Sequence, residues 1–274
     1  MLKYNNLLEP CYNGDIIAVK EFLNLFKLQK IIKIKVYRDL LLENTFLYNK
    51  EYFYKNIWEY IYSYVNEDID IDFYDEWGYT PLNSACWNGN VKIVELLLKA
   101  GTNPNSILEK RYDVIDEDTP LRYAIHFGYT EIVKMLIKSG ANINHLNSIG
   151  ANVLMSASRK GYTQIVKLLL KANAKINIQD KNGYTALHYA SINGHIKIVQ
   201  MLINANANLD LKSYTMNMTA LMFAIIKHHN VIAKMLIKAG VDINIKNKAG
   251  DNALTIAKKN CYTKIVQMLI NADA

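Results

Sequence analysis

The chain is short of cysteine. Cys11, Cys86 and Cys261 are its three, and neither their number nor their spacing gives a disulfide framework, which favours a reducing compartment. No stretch approaches the roughly 20 consecutive apolar residues that cross a bilayer, and residues 1–20 lack the layout of a signal peptide. A cytoplasmic location without a membrane span is therefore expected, with export by a dedicated secretion machine that reads no N-terminal signal left open. There is no glycine-rich phosphate loop after a strand. The six histidines, His126, His145, His188, His195, His228 and His229, have no cysteine or acid at ligand spacing, and Cys86 and Cys261 are too far apart in the chain to share an ion. No metal, no cofactor and no catalytic constellation are expected, so the chain reads as a non-enzyme.

Acid is also scarce over most of the length. Residues 77–274 carry 23 basic and 12 acidic groups, a net charge of +11. Residues 27–38 carry five basic groups and no acid, and residues 39–76 carry ten acids against Lys50 and Lys55. The overall charge of +7 thus hides an acidic section followed by a basic one. A basic surface attracts nucleic acid, anionic membrane or an acidic protein. Lysines recurring at the same repeat positions, Lys99, Lys138, Lys171 and Lys238, favour the plainer reading, solvation of the helix faces.

What is abundant is repetition. Ala85, Ala124, Ala157, Ala190, Ala224 and Ala257 are spaced by 39, 33, 33, 34 and 33 residues. Three residues before each alanine stands a leucine, from Leu82 to Leu254; eight after stands an isoleucine, from Ile93 to Ile265; four further on stands another leucine, from Leu97 to Leu269. A fixed period of this size marks an array of one supersecondary unit. Each unit reads as two helices. Thr80, Thr119, Asn152, Thr185, Thr219 and Asn252 are placed to cap the first, because their side-chain oxygens accept from unpaired backbone N–H groups. Pro81 and Pro120 fit the first helical position. Gly89, Gly128, Gly161 and Gly194 stand where a left-handed residue would end that helix. The second helix shows one apolar face, as in Ile132, Val133, Leu136 and Ile137.

The segment Thr185-Ala186-Leu187-His188-Tyr189-Ala190 resembles the signature of the ankyrin repeat, as do Thr80-Pro81-Leu82 and the tails Gly140-Ala141-Asn142-Ile143-Asn144 and Gly240-Val241-Asp242-Ile243-Asn244. The resemblance covers residues 72–274 as six repeats, the last incomplete. It implies an all-α solenoid of stacked helix-turn-helix units with short β-hairpin loops. Residues 1–71 read as degenerate N-terminal capping repeats, the second of them tyrosine-rich. There are departures. His188 alone keeps the signature histidine, which in the family ties neighbouring loops, so looser junctions are expected elsewhere. His228 and Cys261 replace the inter-helix glycine. A six-residue insertion within 106–118 carries Asp113, Asp116, Glu117 and Asp118 and reads as a long hairpin or loop.

The resemblance implies a protein-interaction module that holds its partner on the concave face of the first helices and on the loop tips. By position these are Trp77, Tyr79, Trp87, Asn88, His126, Phe127, Arg159, Lys160, Tyr184, Ile192, Asn193, Met216, Met218 and Lys227. Trp77, Tyr79, Trp87 and Phe127 form a potential aromatic cluster, and aromatics dominate interface hot spots. An adaptor, an inhibitor or immunity-type protein, and a host-directed effector all fit. Binding of nucleic acid or acidic lipid to the basic solenoid ranks below, because aromatics suited to single strands are sparse beyond residue 127. The last helix keeps Ile265, Met268, Leu269 and Ile270, so bare apolar surface and self-association through the C-terminal repeat are expected.

Overall fold

The computed structural model describes residues 14–17, 19, 20, 23, 71, 72, 74, 78–107 and 119–273. Trp77, the tyrosine-rich stretch before residue 71 and positions 108–118 of the insertion fall outside the described residues. The chain divides into two compact units, Met1–Ala141 and Asn142–Ala274. The first holds α1 (Pro81–Trp87), α2 (Val91–Ala100), α3 (Pro120–Phe127) and α4 (Thr130–Lys138). The second holds α5 (Val153–Lys160), α6 (Thr163–Lys171), α7 (Ala186–Ile192), α8 (Ile196–Asn204), α9 (Ala220–Ile226), α10 (Asn230–Lys238), α11 (Ala253–Lys259) and α12 (Thr263–Asp273).

Every expected cap is in place. The side-chain oxygens of Thr80, Thr119, Asn152, Thr185, Thr219 and Asn252 each accept the N–H three residues on. Within each unit the first helices pack in one row and the second helices in another: α1 on α3 and α2 on α4, then α5, α7, α9 and α11 in order and α6, α8, α10 and α12 in order. The six periodic alanines are completely buried, since only a methyl fits where two first helices meet. The isoleucines and leucines of the second helices fill the layer between the two rows. No unit could bury this surface alone, which is why the array and not the single repeat is the stable object.

The turns between paired helices are uniform despite their sequences. Gly128 and Gly161 have φ of 81° and 79°; His228 and Cys261, at the same position, are held at 62° and 59°. The turn survives without glycine at a cost, because a left-handed backbone brings Cβ against the carbonyl oxygen, roughly 1–2 kcal/mol for a non-glycine residue. Among the described residues no strand forms. Each loop is instead a turn built on one polar residue. Asn147, Asp180 and Asn247 donate their N–H to the carbonyls of Ala151, Tyr184 and Asp251, at 2.9–3.1 Å. Their side-chain oxygens accept the N–H of the same three closing residues at 2.9 Å. Neighbouring tips are joined by backbone bonds, Lys181 to Ile149, Tyr214 to Asn182 and Lys248 to Met216.

The expected loosening at junctions without the signature histidine is replaced by other ties. In the repeat tails, Asn144 accepts from Lys175 N–H, Asn177 from Asn208 N–H and Asp210 from Asp242 N–H, all at 2.8 Å. At the inter-helix turns, His195 Nε2 meets the Arg159 carbonyl and His229 Nε2 the Ile192 carbonyl, both at 3.1 Å. His229 is therefore a junction residue and not a bystander in a turn. The same two devices recur at the N-terminal edge of the first unit. Asp72 accepts Asn103 N–H at 3.0 Å, and Gly14, with φ of 76°, lies under Asn90 as Gly161 lies under His195. Gly14 and Asp72 thus both abut the 78–107 repeat. The expectation of a further tyrosine-rich pair between them falls on residues outside the described set.

The C-terminal helix is better covered than its composition suggests. Ile265 and Leu269 are buried against α10 and α11, whereas Ile270 is 45% exposed. Val266 is only half-buried, while Val166 and Val199, its equivalents, are fully buried.

Candidate functional site

Two surfaces emerge, one in each unit. In the first, Trp87 ends α1 and His126 and Phe127 end α3. Trp87 lies 5.2 Å, centroid to centroid, from both Phe127 and Tyr123, edge to face in each case. Tyr79 closes on the same group at 6.0 Å from Tyr123 and 6.4 Å from Trp87. Phe127 stacks on Tyr129 at 5.7 Å and meets His126 at 4.8 Å. Trp87 and Phe127 nevertheless stay 39% and 37% exposed. Their rings are buttressed on one side and open on the other, which fixes them before any partner arrives. Asn88 is partly committed, its amide donating to Ser84 carbonyl at 2.9 Å. Tyr123 and Tyr129 were not among the expected site residues. Their signal was positional: Tyr123 precedes the packing alanine as Tyr189 does, and Tyr129 follows the turn glycine and covers Gly89.

In the second unit the outward row of the first helices reads Arg159, Ile192, Ile226 and Lys259 across four successive repeats, each two residues past its alanine. Arg159, Lys227 and Lys259 are exposed, Ile226 is 39% exposed, and Lys160 and Ile192 are half-buried. Lys259 is held by Asp251 at 2.6 Å. Asn193, though exposed, turns its amide back onto Tyr189 carbonyl at 2.8 Å. Tyr184 lies 5.5 Å from both Tyr189 and Phe223, bridging two repeats. Tyr189 donates its hydroxyl to Asp180 at 2.6 Å; burial first, then this carboxylate, raises the phenol well above its ordinary value.

Of the two methionines expected at a loop tip, only Met218 is displaced. Met216 is at the tip of its loop and 58% exposed, beside Tyr214 at 56%. Met218 is only 2% exposed. It closes its loop, as Ala151, Tyr184 and Asp251 close theirs: its carbonyl accepts Ser213 N–H at 2.9 Å and its N–H donates to Ser213 Oγ at 3.0 Å. That turns the side chain inward, so Met218 is a packing residue and not part of the surface.

His188 explains why its position is read so strongly in the sequence. Its Nδ1 accepts Thr185 N–H at 3.1 Å, completing a reciprocal cap, and its Nε2 donates to Met218 carbonyl in the next repeat at 3.1 Å. Burial holds the imidazole down to about 4, against which the Met218 carbonyl pulls upward. It is neutral at physiological pH and structural. Among the described residues no group of three or more His, Cys, Asp or Glu side chains could hold a metal ion, and no helix is long and apolar enough to cross a membrane.

The geometry accords with comparison to known proteins. No curated protein sequence matches the chain. The structure is similar to the crystal structure of the ankyrin repeat domain of Bcl-3, described as a unique member of the IkappaB protein family, with a TM-score of 0.71 and 22% identity over 96% of each chain. At that identity the likeness speaks to the fold alone. A family model described as ankyrin repeats in three copies matches residues 11–147, 100–180, 121–213 and 210–274, nearly the whole length. With the caps, the buried alanines and the Thr185–His188 junction where the repeat demands them, this chain belongs to the ankyrin-repeat family, whose arrays are protein-interaction modules.

Proposed function

We propose that the chain is a non-enzymatic binding protein that grips a partner protein on the exposed row of its first helices and on its loop tips, as an adaptor, an inhibitor or immunity-type protein, or a host-directed effector. The observation that carries this is the pair Trp87 and Phe127. Both are large aromatics left over one-third exposed on a face where the scaffold already satisfies their neighbours. Rigid, half-open aromatics bind at low cost in side-chain entropy and are over-represented among hot spots. Tyr214 and Met216 add a second apolar projection at a loop tip. The second helices contain no aromatic residue, and their exposed apolar side chains are the isolated aliphatics Val91, Ile196, Val231 and Ile270.

The test is hydrogen exchange on the full chain, free and saturated with a protein purified by affinity from the source lysate. Protection confined to the first-helix termini and the loop tips is the expected footprint. Protection confined to α2, α4, α6, α8, α10 and α12 would overturn the reading. A second reading, an anionic ligand such as nucleic acid or acidic lipid on the basic unit, is favoured only by charge. The lysines are spread over both helix rows and the loops and draw no single track for a phosphate backbone.

A further inference from the structure

The charge of the chain is concentrated in one place. Residues 142–274 contain sixteen Lys or Arg and five Asp, with no Glu, a net of +11; residues 1–141 have a net of −4. Four of these five acids are also occupied. Asp180 is buried, accepting Asn182 and Tyr184 N–H and the Tyr189 hydroxyl. Asp210 accepts Asp242 N–H, Asp242 accepts Asn244 N–H and Asp251 holds Lys259. All four lie in loops, and the first helices α5, α7, α9 and α11 contain no acid at all. Their outward residues have an order: Arg159 at one end, Ile192 and Ile226 in the middle, then Lys227 and, held by Asp251, Lys259 at the other end.

Resting on the reading that this face binds a protein, we propose that the face of α5, α7, α9 and α11 receives an acidic, amphipathic protein segment whose apolar side chains cover Ile192 and Ile226 and whose carboxylates, on either side of them, meet Arg159 and Lys227. Charge complementarity selects the sign of the partner, and the two isoleucines between the cations select protein over a bare polyanion. Tyr184 packs on both Tyr189 and Phe223, and Tyr189 is pinned by Asp180, so they are not open platforms for stacked bases. Packed helices lie about 8–10 Å apart, so two steps along the row span roughly 20 Å, which six or seven extended residues bridge at about 3.3 Å each. A carboxylate pair at about that spacing, with aliphatic or aromatic residues between, is the recognition element.

A displayed library of random peptides panned on the immobilised full chain tests this directly. The enriched pool is expected to be net acidic with apolar residues between the acids. Arg159→Glu/Lys227→Glu is expected to weaken enriched peptides roughly tenfold or more, since truncating or inverting charges at such contacts removes attraction and adds repulsion. Lys171→Glu/Lys238→Glu, on the second helices, changes the net charge equally and is expected to leave affinity within about twofold; circular dichroism melts of both variants confirm folding. A neutral or basic pool, equal weakening by the two reversals, or an oligo-dT single strand or a phosphatidylserine vesicle that binds more tightly than every peptide would overturn the proposal. A natural protein partner that protects Trp87 and Phe127 but ignores Arg159→Glu/Lys227→Glu would leave the broader function standing and sink this inference alone. Failure of every peptide and every lysate protein to bind would remove both.

Discussion

At the scale of single residues, the array rests on a few that tolerate no change of size or protonation. Ala190 is fully buried where α7 meets its neighbours. Ala190→Leu forces methylenes into a filled contact, at about 1–3 kcal/mol, and a clear fall in the urea midpoint is expected; an unchanged midpoint contradicts the packing described. His188 gives a pH signature. Its pKa is depressed from 6.5 to about 4 in the folded chain, because burial disfavours the cation and Nδ1 is already an acceptor. The unfolded chain therefore binds more protons between these values. Stability is complete above about pH 6.5, is lost as pH falls towards 4, and is flat in this contribution below that. The difference amounts to about 3 kcal/mol at most. Urea melts at pH 7 and pH 4.5 are expected to differ more for the native chain than for His188→Gln. Equal differences would mean that His188 is not the group that titrates.

At the scale of the element, the turn between paired helices is the informative unit. Cys261 is exposed and left-handed. Cys261→Gly removes the Cβ clash but enlarges the freedom of the unfolded chain, so a modest gain of up to about 1 kcal/mol is expected. Gly161→Ala moves the other way: its φ is 79°, and an added Cβ would lie 2.6 Å from the His195 ring. Thermal melts that move in the same direction for both would refute this account of the turn. In α12, Val266 and Ile270 remain partly exposed, so amide exchange across 252–273 is expected to be faster than across α8; slower exchange there would contradict the burial pattern.

The elements themselves were legible in the sequence because each is set by local chemistry repeated six times. Thr and Asn caps, a mid-helix alanine and an Ile–Leu face leave little choice. The loops were less legible. The β-hairpin implied by the family shrinks to a turn organised by Asn147, Asp180 or Asn247, and Met218 reads as a tip residue until the loop-closing bond turns it inward. The ties at the junctions are hidden for a related reason. His195 and His229 bond to carbonyls 36 and 37 residues away, a partnership that no pattern within one repeat announces. The aromatic surface was visible in Trp87 and Phe127, while its buttresses, Tyr123 and Tyr129, are recognised only once adjacent repeats are stacked.

At the scale of the whole molecule, scaffold and surface are separate. The second helices and the space between the rows hold the array together; the ends of the first helices and the loop tips are left to bind. Charge divides along the chain as well, with the net positive charge residing wholly in residues 142–274. Association with the partner is expected to slow as salt rises if that basic unit steers it. The most direct measurement is calorimetric titration of the purified partner into the native chain and into Trp87→Ala/Phe127→Ala, alongside Lys134→Ala/Lys167→Ala on the second helices as the control. The double aromatic truncation is expected to cost about 2 kcal/mol or more of binding free energy, with the far-ultraviolet spectrum retained and the control unchanged. Native affinity in the aromatic variant, or an equal loss in the control, would contradict the claim that this chain binds through its first-helix face.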